Sequence, residues 1–89
     1  MYNLKYTKHS LERMEERNIS KEDIELLLNS TFLEAKSKQD TNIILVIGSV
    51  GTKGIALILD QTTHNLITVR NMRANEKKLF KEKGGLPND

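Results

Sequence analysis

The 89 residues suffice for one domain and not two, with room for a modest core. The lack of cysteine excludes disulfides and cysteine-built metal sites, and no apolar run has the length of a bilayer span or of a signal-peptide core. The expectation is a soluble, cytoplasmic protein with no membrane partner. Net charge is only +2, but residues 1–40 hold seven Lys/Arg against eight Asp/Glu and residues 41–89 seven against four. The basic excess of the second half leans weakly toward anionic partners.

Tyr2, Leu4 and Tyr6 alternate with polar residues, which suits a short strand or extended arm. Thr7 is a candidate N-cap for a helix running to about Arg17. On that helix His9, Arg13 and Arg17 recur every four residues, each step turning about 40° from the last. They form a basic stripe. Met14 and Leu11 form an apolar stripe beside it, and Glu12, Glu15 and Glu16 fill the remaining arc. Glu12 with Glu16 and Arg13 with Arg17 are like-charge pairs four apart, which weaken a helix slightly. Such segregation hints at a side that faces an anion, although a solvated helix face would also carry these residue types.

Asn18 tolerates the left-handed conformation that ends helices, and Ile19 should fold back on the apolar stripe. Ser20-Lys21-Glu22-Asp23 resembles a capping box for a second helix over residues 21–29, with Ile24, Leu27 and Leu28 as its core face. Two helices across a tight turn predict a helical hairpin.

From Phe32 the period becomes extended. Phe32 to Ala35 begins a strand that turns polar at Lys36. Asn42–Gly48 and Ile55–Leu59 are continuous apolar runs joined by the turn Gly51-Thr52-Lys53-Gly54. Leu66–Met72 is a fourth strand, with Ile67 and Val69 on one face and Leu66, Thr68 and Arg70 on the other. Short connections predict an antiparallel meander. Apolar residues on both faces of the middle strands require two covers: the helical hairpin on one side, and the last helix or a second copy of the chain on the other. Residues 74–83 read as that helix, with Leu79 and Phe80 its apolar pair and Gly84 its stop. Residues 84–89 read as a flexible tail. The domain is expected over 1–83.

Few constellations carry chemistry. The cluster Gly48, Gly51, Gly54 lacks the G-x-x-x-x-G-K-[ST] pattern and a following helix, so a hairpin turn is the better reading. His9 and His64 are too isolated for a metal site, and no cofactor is expected. Histidine with arginines on a small α+β scaffold suits metal-independent cleavage of RNA. A histidine can move a proton near neutral pH. Arginines can clamp the phosphate and stabilise the charge that grows on it. His9 would be general base or acid, Arg13 the phosphate clamp, and Arg17, Arg70 and Arg73 RNA contacts. The second proton-transfer group stays open among His64, Lys36, Lys38, Tyr6 and Glu16.

The opening T-K-H-S-L-E-R-M-E-E-R-N-I-S-K-E-D-I resembles the bacterial family called domain of unknown function 4258. Its members open with His, three residues, Arg, three residues and Arg-Gly-Ile-Ser, then an acidic helix start. The resemblance spans about residues 6–72 and carries His9, Arg13 and Arg17 onto the family's His and two Arg. Asn18 stands where Gly is usual. The family is remotely similar to the RelE/ParE-like toxin fold, in the group that includes barnase and colicin ribonucleases. The resemblance implies RNA cleavage and a place in a toxin–antitoxin pair.

The expectation is therefore an α+β fold: an N-terminal helical hairpin packed on a four-stranded antiparallel meander, with a short C-terminal helix. Three functions compete. The first is a RelE-like ribonuclease toxin with RNA as substrate and a cognate antitoxin as partner. The second is a non-catalytic protein-interaction module in which His9 and Arg13 are structural. The third is a nucleic-acid-binding accessory without chemistry. An uncovered apolar sheet face would also allow a homodimer.

Overall fold

The structure is a computed structural model and describes residues 3–83. The elements are β1 (Lys5–Tyr6), α1 (Lys8–Glu16), α2 (Lys21–Leu28), β2 (Phe32–Lys36), β3 (Ile43–Val50), β4 (Lys53–Asp60), β5 (Asn65–Asn71) and α3 (Ala74–Lys83). The expected tail 84–89, with Gly84, and Tyr2 of the expected N-terminal strand lie outside the described residues.

The expected architecture is corrected. The sheet has five strands in the order β1-β5-β4-β3-β2, and it is mixed. Strands β2 to β5 pair antiparallel, but β1 joins β5 in parallel, Lys5 opposite Asn65 and Tyr6 opposite Leu66. A parallel pair cannot be closed by a short turn; here α1, α2 and three strands lie between its members. Two residues are also too few to show a strand period. The helical hairpin is corrected with it: α1 lies along β5 and α2 along β3, so each helix meets the sheet on its own strand. The third helix, α3, packs on β2 and β3.

Local chemistry accounts for the helix ends. Thr7 caps α1: its Oγ1 accepts the Ser10 N–H at 3.1 Å, and Ser10 Oγ accepts the Thr7 N–H at 2.9 Å. The same Thr7 Oγ1 donates to the Leu66 carbonyl at 2.8 Å, tying the start of α1 to β5. Asn18 takes φ 57°, the expected left-handed stop, and Ile19 turns into the core with its N–H on the Met14 carbonyl. Ser20 and Asp23 form the reciprocal capping box, both bonds at 3.0 Å.

Two apolar layers result. On one face α1 and α2 bury Met14, Ile24, Leu27 and Leu28 against Val46, Leu57, Leu59 and Val69. Gly48 lets α2 approach β3 closely, for a Cβ there would lie 2.8 Å from Leu27 Cγ. On the other face Phe80 of α3 packs on Ile47, Ala56 and Met72.

Three details depart from the expected pattern. A bulge in β5 sets Leu59 opposite Leu66 but Ile58 opposite Thr68, so Ile67 is the extra residue. Leu66 and Val69 therefore share the buried face, rather than Ile67 and Val69. On α1 the buried pair is Ser10 and Met14, and Leu11 is 42% exposed. Ser10 is tolerated there because its hydroxyl is bonded to Thr7. On α3 the buried pair is Glu76 and Phe80, and Leu79 is 40% exposed.

Candidate functional site

The α1 row is open to solvent. His9 and Arg17 are exposed and Arg13 is half-buried. Their helix is held from beneath by Ser10 and Met14, so the row lies on the flank of α1 that borders its buried stripe. Arg13 Nη1 donates to Glu16 Oε1 at 2.8 Å in a surface pair whose side chains are 35% and 57% exposed. Such a pair contributes about 0–1 kcal/mol, so a phosphate can displace Glu16 at small cost. One helical turn separates His9 from Arg13, about 6 Å of rise, and two turns separate His9 from Arg17, about 12 Å.

Arg70 and Arg73 stand elsewhere. Arg70 shares the sheet face of its cross-strand partner Ala56, the face that α3 covers. Its guanidinium grips Glu76 in two parallel hydrogen bonds, Nη1 to Oε1 at 2.7 Å and Nη2 to Oε2 at 2.8 Å. Glu76 Oε1 also accepts the Arg73 backbone N–H at 2.8 Å. The carboxylate thus caps the start of α3 from its third position, as in half of a capping box. The hydrogen bond from Arg70 holds the Glu76 carboxyl below the usual range despite its burial, and the Arg73 N–H adds to the effect. The five candidate residues consequently do not converge. His9, Arg13 and Arg17 lie with α1 on one face, Arg70 and Arg73 with α3 on the other.

The topology also sorts the candidates for a second proton-transfer group. Lys36 ends β2, three strands from the β5 that carries α1, a separation of about 14 Å; Lys38 follows it in the chain. Glu16 is two turns of helix from His9 and already meets Arg13. Burial, and secondarily Glu25, push the Tyr6 phenol above its ordinary value, so it stays protonated. His64 comes to the same end of the sheet as the start of α1. Its carbonyl accepts the Lys5 N–H at 2.9 Å, and Thr7, two residues before His9, bonds Leu66. His64 adopts φ 64°, a left-handed conformation uncommon for a side-chain-bearing residue. Sequence spacing gave no hint of this proximity, because the β1–β5 pair that creates it is invisible in periodicity.

A second basic surface belongs to the charge excess of the second half of the chain, a pattern that suits an anionic partner or a solvated helix face equally. Lys77, Lys78 and Lys81 of α3 line a cleft of about 470 Å³ against Ser49, Thr52 and Gly54 of the β3–β4 hairpin. The signal that could have exposed it is the i,i+4 like-charge pair Lys77–Lys81. Among the described residues, no group of three or more His, Asp or Glu is placed to hold a metal ion, and no helix is long and apolar enough to cross a membrane.

The family description "Domain of unknown function (DUF4258)" matches residues 6–69, from β1 to the middle of β5. The chain belongs to this family. The DUF4258 segment contains the whole α1 row and His64, together with the three complete strands β2, β3 and β4, whereas Arg70, Arg73 and α3 fall outside it. No curated protein and no solved structure matches the chain.

Proposed function

We propose that the chain is a small toxin-type domain that binds RNA along α1 and cleaves it without a metal. The exposed His9–Arg13–Arg17 row carries this reading. His9 moves a proton at the 2′-hydroxyl or the leaving 5′-oxygen. Arg13, released from Glu16, clamps the same phosphate, and Arg17 contacts the backbone further along. His64 is assigned the second proton transfer because its backbone, whose carbonyl accepts the Lys5 N–H, lies at the end of the sheet where α1 begins. Arg70 is assigned to holding α3, not to RNA, because its guanidinium is committed to Glu76. The resemblance to RelE-like toxins expected from the sequence motif would place the chain in the same class of activity and, with it, beside a cognate antitoxin.

The test is induced expression of the wild type and of His9→Ala/Arg13→Ala in bacteria, following growth and RNA integrity. Growth arrest with RNA fragments, both lost in a double variant that still folds, is the expected result. Intact RNA with normal growth for both proteins overturns the cleavage reading.

The exposed leucines favour a second reading. Leu11 on α1 and Leu26 on α2, 42% and 56% exposed, would suit a non-catalytic module that docks another protein across these helices. Intact RNA together with loss of a co-purifying partner on Leu11→Ser/Leu26→Ser would select it.

A further inference from the structure

The cleft between α3 and the β3–β4 hairpin lies on the sheet face opposite α1 and has no part in the reading above. Its walls differ in character. Lys77, Lys78 and Lys81 supply three ammonium groups from one side, and Ser49 and Thr52 supply hydroxyls from the other. Between these walls only the edges of Met72 and Phe80 show, 7% and 2% exposed, beside the methylene stems of the lysines. Among the described residues, no acidic side chain lines the cleft. The nearest buried carboxylate, Glu76, is already neutralised by Arg70.

Three features point to a ligand. Lys77 and Lys81 repel each other at i,i+4 spacing, a cost that a bound anion would remove. The volume, about 470 Å³, exceeds what one phosphate fills and falls in the range of small-ligand sites. Gly54 keeps the cleft open at the hairpin: a Cβ there would lie 3.0 Å from Met72 Cε and 3.6 Å from Lys77 Cε, crowding the side chains that line the cleft.

We infer that this cleft binds a nucleotide, its phosphate on Lys77 and Lys81 with Ser49 or Thr52 donating to it, and its base against the lysine stems and the narrow edge of Met72. The ammonium groups and hydroxyls are donors suited to phosphate oxygens, and the apolar stems of the lysines can cover one side of a base. The nucleotide comes either as a free mononucleotide or as one unit of an RNA strand.

Calorimetric titration with adenosine monophosphate, inorganic phosphate and a single-stranded RNA trinucleotide lacking terminal phosphates tests this on the full chain. The monophosphate should bind at least tenfold more tightly than inorganic phosphate, and more weakly as salt rises. Lys77→Gln/Lys81→Gln, which keeps good helix formers, should lose at least tenfold in affinity at unchanged thermal stability. In a His9→Ala/Arg13→Ala background, where the α1 row no longer holds phosphate, the Lys77→Gln/Lys81→Gln change should still lose at least tenfold, so failure here is separate from failure of the α1 reading. Competition by the trinucleotide identifies the source as an RNA strand, and its failure to compete identifies a free nucleotide. No binding of either up to about 5 mM, equal affinity for inorganic phosphate, or undiminished binding by the lysine variant overturns the inference.

Discussion

Arg70 and Glu76 meet in two parallel hydrogen bonds at the seam where β5 hands the chain to α3. The carboxylate is nearly enclosed, with 9% of its side chain exposed, and it serves both the guanidinium and the Arg73 N–H. Removing Arg70 would leave a desolvated charge with one partner. Arg70→Ala should therefore cost about 3 kcal/mol, the lower end for breaking a buried pair, and Arg70→Lys should recover only part of that because the fork geometry is lost. Urea unfolding followed by circular dichroism measures both.

The same pair makes stability depend on acid. The folded state holds Glu76 below the usual carboxylate range through Arg70, and Asp23 likewise, first through the Ser20 N–H and then through Lys53. A carboxylate depressed on folding stabilises fully above its unfolded value, and that stability is lost as pH falls through the folded value. Melting temperature should thus hold on descending to the ordinary carboxylate range and drop below it. Glu76→Gln should be less stable near neutrality and flatter on the acid side, as a thermal melt series across pH would show.

Gly48 should be the least substitutable residue of β3. Because Leu27 is fully buried over it, Gly48→Ala must move a branched carbon with nowhere to go. The expected loss is about 1–3 kcal/mol, in the range of overpacked cores, and Gly48→Val should lose more. Leu27→Ala in the Gly48→Ala background should recover part of the loss relative to the two single changes combined, read from chemical denaturation of all four proteins.

Asn18 offers a milder contrast. With φ at 57°, Asn18→Gly should be neutral within about 0.5 kcal/mol, whereas Asn18→Ala should cost about 1 kcal/mol. Reversal of that order in denaturation midpoints would mean that the α1–α2 corner is held by something other than backbone conformation.

Thr7 joins two functions in one hydroxyl, accepting from Ser10 and donating to Leu66. Thr7→Ala should cost about 2 kcal/mol, a lost cap together with a lost tether, while Thr7→Ser keeps most of it. Amide exchange should report faster opening of α1 than of β3 in the alanine variant.

What could be read from residues alone was what residues do locally. The Thr7 and Ser20 caps, the Asn18 stop and the Gly51-Thr52 turn each depend on a few neighbours in sequence, and all form. Long-range geometry was not legible. The β1–β5 pair joins residues 59 apart or more, and the β5 bulge shifts one residue out of the alternation that assigns faces. The candidate site split for the same reason: spacing placed His9, Arg13 and Arg17 on one side of a helix, but only the sheet decides that Arg70 belongs to the opposite face. Nothing in the spacing of residues 74–83 marks Glu76 as the residue that claims Arg70.

The parallel β1–β5 pair also orders events in time. While the chain is being translated, Lys5 to Glu16 emerge long before Leu66, the carbonyl that Thr7 needs. A nascent chain that stops short of β5 has nothing to hold its first helix, and that helix alone is too short to persist in water. Docking of the α1 row must await the closure of the whole intervening loop, a slow step for contacts so distant in sequence. Any activity that resides on α1 is consequently withheld until β5 has left the ribosome.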